Sequence, residues 1–318
     1  MPAHYKEKLD CCDVHHFFTG SRKLSALWRL MNPFGALKVW QKILAVEPKV
    51  VHLFNGEGYP WAVLWSLLAE AHKVPFLVTV HDPEPHPKNL YETASARLRY
   101  WVLKRAAGVH VHGENLVPLL ARYGVPKERV QVIPHGSLAS RYTKHVRPGI
   151  LKEPLVLFFG RMEYYKGLDY LVEAAFILRG QFRFAIAGPG RLPRRVARAI
   201  HANPDLFELH NRYLDDHEVA HLFQRSAVCV LPYRQATQSG VPLIAAGFGV
   251  PVVATHLGAL AEDVPRVGGL TVPPNDSKIL AAAIQQAISR PVNYPKELEF
   301  TVLSARFVQW YRRHAIFG

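Results

Sequence analysis

Two basic residues, Arg161 and Lys166, sit on a short polar stretch that follows an apolar run. The run, Leu155-Val156-Leu157-Phe158-Phe159, reads as a buried strand, and the stretch is Gly160-Arg161-Met162-Glu163-Tyr164-Tyr165-Lys166-Gly167. Helical periodicity then sets in at Leu168, Leu171, Val172, Ala175 and Leu178 and stops at Gly180. The cations therefore leave the carboxyl end of a strand, where open α/β sheets bind ligands. Two cations on one such loop suit a diphosphate that gains charge as an attached group departs. Two solvated surface charges are the plainer alternative, and the commoner fate of Arg and Lys.

A second stretch, Gln235 to Glu262, points the same way. The run Ala227 to Tyr233 reads as a buried strand, and Gln238-Ser239-Gly240 opens a small-residue helix that ends at Gly249. Pro251-Val252-Val253-Ala254 is the next strand. A polar, glycine-containing turn entering a helix can hold an anion, because unpaired N–H groups point outward and the helix dipole favours negative charge. An ordinary strand–helix–strand crossover, with Gly and Ala serving only close packing, accounts for the pattern equally well.

Around these, strands and helices alternate. Val14 to Phe18, Val50 to Phe54, Phe76 to Val80, Gly108 to His112 and Val130 to Ile133 read as strands. Helices fall at Leu37 to Leu44, Trp61 to Ala71, Leu98 to Lys104 and Leu116 to Tyr123. This alternation argues for parallel, doubly wound sheets. The expected organisation is a first domain over residues 1–140, a polar and basic linker over 141–154, a second domain over 155–290, and a tail helix within 291–318.

The chain has 318 residues, 49% of them hydrophobic, so it can bury the cores of about two domains. No apolar run spans a bilayer, and the first residues lack the apolar core of a secretory signal. Cys11, Cys12 and Cys229 make no disulfide framework, which favours a cytoplasmic setting. A net charge of +14 favours acidic partners: anionic lipid, nucleotide or nucleic acid. No RNA- or DNA-binding pattern appears, so nucleic acid is disfavoured. The segment Lys23 to Lys42 mixes Trp28, Leu30, Met31, Phe34 and Trp40 with cations and suits an anionic membrane surface, although half of it reads equally as core.

Together the pieces FFGRMEYYKGLDYLVEAA, FAIAGPG, VLPYRQATQSG, GFGVPVVATHLGALAEDV and GGLTVPPND resemble the nucleotide-sugar half of the family 4 (group 1) glycosyltransferases of the GT-B fold. The first half resembles the family less tightly, through VVHLFN, FLVTVHDPEPHP and VQVIPHG. The resemblance implies two Rossmann-like domains facing a cleft and a tail helix crossing back to the first. It implies transfer of a sugar, with retention, from a nucleoside-diphosphate sugar to a hydroxyl of a glycan or lipid-linked acceptor. That donor is a co-substrate, and neither a cofactor nor a metal is implied.

By the same resemblance, Arg161 and Lys166 face the leaving diphosphate and His81 lies beside the departing sugar. The donor is bounded by Gly160, Gly188, Gly190, Gln235, Thr237, Gln238, Ser239, Gly240, Val241 and Glu262, while Asn55, Gly56 and Glu57 belong to the acceptor side. Two departures stand out. The family's paired glutamates, which contact the donor sugar and the ribose, correspond to Gln235 and to Leu243 or Ile244. The family's first strand and its glycine-rich loop have no counterpart, so the first domain is expected to lack a strand. A non-catalytic, transferase-like scaffold is the alternative these departures favour. A nucleotide-sugar epimerase shares the fold but needs cleft carboxylates that cannot be assigned.

Three further patterns carry less. Gly188-Pro189-Gly190 follows a strand, but Pro193 stands at the third glycine position of a dinucleotide fingerprint, which disfavours NAD. His81, Asp82, Glu84 and His86 look like metal ligands, but Pro83 and Pro85 send neighbouring side chains different ways. Arg191, Arg194, Arg195 and Arg198 have helical spacing and read as a solvated stripe.

Overall fold

The computed structural model describes residues 32–81, 83, 90–236 and 239–315. The strand expected at Val14 to Phe18, the question of a missing first strand, Cys11 and Cys12, Lys23 to Met31, and Asp82, Glu84 and His86 lie outside the described residues.

The chain forms two compact units. The first takes in the described residues up to Val111, then Leu116–Gln131, and the chain from Tyr311. The second comprises His112–Asn115 and Val132–Trp310.

The first unit is built on a four-stranded sheet of β1 (Val51–Leu53), β2 (Phe76–Thr79), β3 (Gly108–Val111) and β4 (Val130–Val132), in the order β1-β2-β3-β4. β1, β2 and β3 pair in parallel, with Val51 opposite Phe76 and Leu77 opposite Gly108. Every residue of β2 and β3 is buried, as a parallel strand covered on both faces requires. The helix Pro60–Ala71 starts on a proline, whose fixed φ suits a first turn, and buries Ala62, Ser66 and Ala69. The expected helix at Leu116 to Tyr123 is instead a 3-10 turn, a four-residue α-helix Val117–Leu120 with Pro118 in its first turn, and a second 3-10 turn that ends on Gly124 in the left-handed region. The helix Pro33–Leu44 buries Ala36, Val39 and Trp40 and leaves Phe34 exposed, so Trp40 is core and Phe34 is surface.

The second unit holds a six-stranded parallel sheet. Its strands are β5 (Leu155–Phe159), β6 (Arg183–Ala187), β7 (Phe207–His210), β8 (Val228–Leu231), β9 (Val252–Thr255) and β10 (Leu270–Val272), in the order β10-β9-β8-β5-β6-β7. From β5 the chain winds outward through β6 and β7, then returns to β8 on the other side of β5. The winding reverses between β5 and β8, where an open α/β sheet leaves a crevice at its carboxyl edge. β8 and β9 are buried throughout, as is β5 up to Phe158. Burying each such Val or Leu contributes about 1.5–3 kcal/mol. The helix Leu168–Ile177 closes one face through Leu168, Leu171, Val172, Ala174 and Ala175.

Across the expected boundary between first domain and linker, the helix Ala139–Thr143 packs on the helix Val241–Gly247, where Gly247 faces the Ala139 Cβ. Arg141 ties it to Asp216 at 2.9 Å. The helix expected from Gln238 to Gly249 is only the seven residues Val241–Gly247, since Pro242 lies in its first turn. The arginine stripe also loses a member: Pro193 caps the helix Arg194–His201, so Arg191 precedes it. No helix among the described residues is long and apolar enough to cross a membrane.

Candidate functional site

Loops leaving β5, β6, β8 and β9 meet at the carboxyl edge of the second sheet. The first two are zipped together through their backbones. Gly160 N–H donates to Ala187 O at 2.9 Å, and Met162 N–H donates to Pro189 O at 2.8 Å. Gly188 and Gly190 have φ of +134° and +150°, and a Cβ on either would overlap Gly160 O or Met162 O. Close backbone approach thus accounts for both glycines of the Gly-Pro-Gly sequence.

The β5 loop is then fastened to the end of β8. Tyr164–Lys166 form a 3-10 turn that ends on Gly167 at φ +64°, backed directly against Pro232 O. Arg234 N–H donates to Tyr165 O at 2.7 Å. This turn brings Lys166 Nζ to 3.5 Å from the centroid of the buried Tyr233 ring, and to 5.1 Å from that of Tyr165. An ammonium over an aromatic face is worth between about 0.5 and 2 kcal/mol, more as water is excluded. Burial and then the nearby Arg161 pull the Lys166 ammonium down to about 7. Arg161 itself is exposed. Neither cation has a carboxylate within salt-bridge distance among the described residues. Two adjacent cations without a counterion, one of them already losing its proton to burial, form a place that an anion would complete.

The β8 loop continues past Tyr233. Its hydroxyl lies 3.4 Å from Ser239 Oγ, and its carbonyl accepts from Thr255 Oγ1 at 2.8 Å, joining β8 to β9. Ser239 Oγ also accepts from Val241 N–H at 3.4 Å, so one N–H of the first helical turn is already engaged. Gln235 is exposed, and Thr237 and Gln238 lie outside the described residues. Leu243 and Ile244 are each 4% exposed and packed in the core, which leaves no carboxylate on that helix. After β9, Glu262 is exposed in the first turn of the helix Leu260–Arg266. Cys229, in β8, is fully buried, and burial pushes its thiol up to about 12.

In the first unit, His81 follows β2. Its Nε2 donates to Phe54 O at 2.9 Å, and its ring meets the Phe54 ring at 5.5 Å. Asn55 is exposed after β1. Gly56, at φ +92°, packs against Tyr59. Glu57 turns inward, where Arg99 Nε holds it at 3.2 Å; both side chains are almost fully buried. The loop thus presents Asn55 but not the Glu57 carboxylate.

Several residues of these networks carry no mark in the sequence. His52 lies between Tyr311 and Thr79 at 2.8 Å each, and Thr79 reaches His110 at 2.9 Å. Burial, then His110 and His81, lower the His52 imidazole to about 4. Tyr233, Arg234 and Asp169 belong to the second unit's site. Only Tyr233 had a signal, an aromatic residue closing a strand beside a polar turn.

Known proteins share both halves. Residues 153–290 match the family described as "Glycosyl transferases group 1", and residues 3–137 match "Glycosyltransferase Family 4". The glycogen synthase of Mycobacterium tuberculosis is 26% identical over 303 residues, covering 88% of this chain and 70% of that protein. The O-antigen chain mannosyltransferase C of Escherichia coli is 30% identical over 134 residues, covering 41% of this chain and 36% of that one. Among solved structures, sucrose-phosphate synthase from Thermosynechococcus elongatus superposes with a TM-score of 0.69 at 20% identity, covering 92% of this chain and 80% of that one. Anabaena HepE in complex with UDP gives 0.70 at 16% identity, with 89% and 84% covered. With the two family matches laid end to end on this fold, the chain belongs to the group 1, family 4 glycosyltransferases and has the GT-B fold.

Proposed function

We propose that this protein transfers a sugar from a nucleoside-diphosphate sugar to a hydroxyl of a glycan or lipid-linked acceptor, with retention of configuration. The bond from the anomeric carbon to the β-phosphate oxygen breaks, the acceptor oxygen takes its place on that carbon, and the hydroxyl proton is lost. The diphosphate leaves with added negative charge. Arg161 and Lys166 stabilise that charge in a site set in place before the reaction, usually the largest catalytic contribution. Gly160, where a side chain would meet open space, lets the donor approach the backbone, and Gly188 and Gly190 let the β6 loop close on the loop that carries the cations, while Gln235, Ser239, Gly240, Val241 and Glu262 border the donor, with Thr237 and Gln238. On the first unit, His81 hydrogen-bonds a hydroxyl and Asn55 with Gly56 lines the acceptor side. The donor is a co-substrate, and no step calls on a metal.

The observation that carries this reading is the pair of cations at the point where the sheet reverses its winding, with no carboxylate partner among the described residues. HepE has been solved with UDP and with UDP-glucose, which makes UDP the first nucleotide to try. A cytoplasmic protein held at an anionic membrane surface fits the net charge of +14 and the exposed Phe34 of the helix Pro33–Leu44.

The test is thermal shift against UDP, GDP, ADP, CDP and dTDP on the wild type and the Arg161→Ala/Lys166→Ala double variant. A ligand at about 100 times its Kd stabilises by about 2.7 kcal/mol. One nucleotide should raise the wild-type Tm and leave the double variant unmoved. The neutral Gln235 and the buried Leu243 and Ile244 favour a second reading, a non-catalytic scaffold. Silence with all five nucleotides would select it.

A further inference from the structure

Lys166 is half-buried with its Nζ over the Tyr233 ring, and the turn that carries it is fastened by contacts that its own side chain does not make. The residue best placed to hold it is Arg234, which follows β8 and Tyr233. The Arg234 N–H donates to Tyr165 O at 2.7 Å. Its guanidinium is ion-paired with Asp169, donates to the Tyr170 hydroxyl at 2.8 Å, and lies 4.3 Å from the Tyr170 ring centroid and 4.7 Å from that of Tyr164. These partners flank Lys166 on both sides: Tyr164 and Tyr165 before it, Asp169 and Tyr170 after it. Gly167, between the two flanks, backs onto Pro232 O. One planar cation therefore fastens the 3-10 turn and the first turn of the helix Leu168–Ile177 to the end of β8. A flat guanidinium can do this because it stacks and donates in several directions at once, which an ammonium cannot.

We propose that Arg234 is a positioning residue: its charge is answered by Asp169 rather than by the donor, and it staples both flanks of Lys166 so that Nζ stays over the Tyr233 ring instead of swinging into water. The inference rests on the reading of Lys166 as a partner of the leaving diphosphate. Among the described residues, the charged and titratable groups that face the Lys166 ammonium are Arg161 and Tyr165 on its own loop and Tyr233 at the end of β8, while Arg234 and Asp169 pair with each other. Loss of Arg234 frees the turn to reach water, which favours the ammonium.

The proton affinity of Lys166 therefore reports the clamp without any nucleotide. The experiment is acetylation of the full chain by acetic anhydride across pH, with labelling at Lys166 followed by mass spectrometry. The wild-type midpoint should fall well below the ordinary lysine value of 10.5, at about 7. Arg234→Gln should raise it by more than about one unit toward the ordinary lysine range, with Arg234→Lys between the two. Asp169→Asn loosens the clamp without leaving a free carboxylate, and it should raise the midpoint in the same direction by less. Tyr170→Phe, which removes one partner only, stands in if Arg234→Gln does not fold. Folded variants whose Lys166 midpoint matches the wild type would overturn the proposal. A midpoint that moves in a protein that binds none of the five nucleotides upholds the clamp and sinks the donor reading.

Discussion

If Lys166 meets a diphosphate, donor binding must take up a proton. The free site holds its ammonium at about 7, chiefly through burial and then through Arg161. A bound diphosphate supplies the missing negative charge and returns the group toward its ordinary 10.5. Between those values the bound state keeps a proton that the free state has lost. Affinity is therefore full below about pH 7 and falls tenfold per unit above it. From about pH 6.5 to pH 8.5 the expected loss is about 25-fold, or about 2 kcal/mol. A nucleoside-diphosphate sugar is the right probe, since both of its phosphates are diesters and neither titrates in this range. Calorimetry at about pH 8 in two buffers of different ionisation enthalpy should show uptake of about 0.9 proton per site. Lys166→Arg keeps its charge throughout and should give a flat profile. A wild-type Kd that stays level between those pH values, with no buffer-dependent heat, would refute the assignment of Lys166 to the diphosphate.

Two other perturbations follow from the packing. Leu243→Glu, which would write a family-like carboxylate back into the chain, should destabilise by about 3 kcal/mol or more and restore no donor contact, because the position is core; denaturant melts and nucleotide titration check both. Arg225→Ala leaves Glu153 and the partly buried Glu208 without the guanidinium that holds them at 2.7 and 3.2 Å, and should cost about 1.5–3 kcal/mol near neutral pH. The Arg225 hydrogen bond holds the Glu153 carboxyl below its ordinary 4.5; at Glu208, burial opposes hydrogen bonds from His210 and Arg225, which prevail. Depressed carboxyl values stabilise above the unfolded value and cease to do so as pH falls through the folded one. The Tm gap between variant and wild type should therefore be widest above about pH 5 and close in stronger acid.

What could be read from the sequence divides along physical lines. The central strands β5, β8 and β9 stand out because burial on both faces writes a continuous apolar run. β7 does not, since it is an edge strand with Glu208 and His210 only partly covered, and its pattern resembles a polar loop. Arg161 and Lys166 could be singled out because strand, loop and helix are contiguous in the chain. Arg234 could not, because its partners lie 64 and 65 residues away, and only the adjacency of β5 and β8 brings them together. Glu57 shows the reverse failure. Its place after a strand suggests exposure, while Arg99, from a distant helix, draws it inward.

On the proposed function, the departures from the family fall on the side of the site that would read hydroxyls and spare the side that would handle charge. A carboxylate that accepts from a ribose hydroxyl makes a charge-assisted bond worth about 1.5–3 kcal/mol, or about 10- to 150-fold in affinity. Here Leu243 and Ile244 are turned into the core, and the nearby polar side chain of Ser239 is occupied by Tyr233 and Val241. Diphosphate affinity should then rest on Arg161 and Lys166, with little discrimination at the sugar of the nucleoside. UDP and 2′,3′-dideoxy-UDP should bind within about tenfold of each other, less than the full worth of one such carboxylate. Both should weaken together in the Lys166→Ala variant. A preference for UDP of more than about 100-fold, measured by calorimetry at fixed pH and salt, would mean that another group reads the ribose, and the loss of the glutamate would then be compensated rather than tolerated.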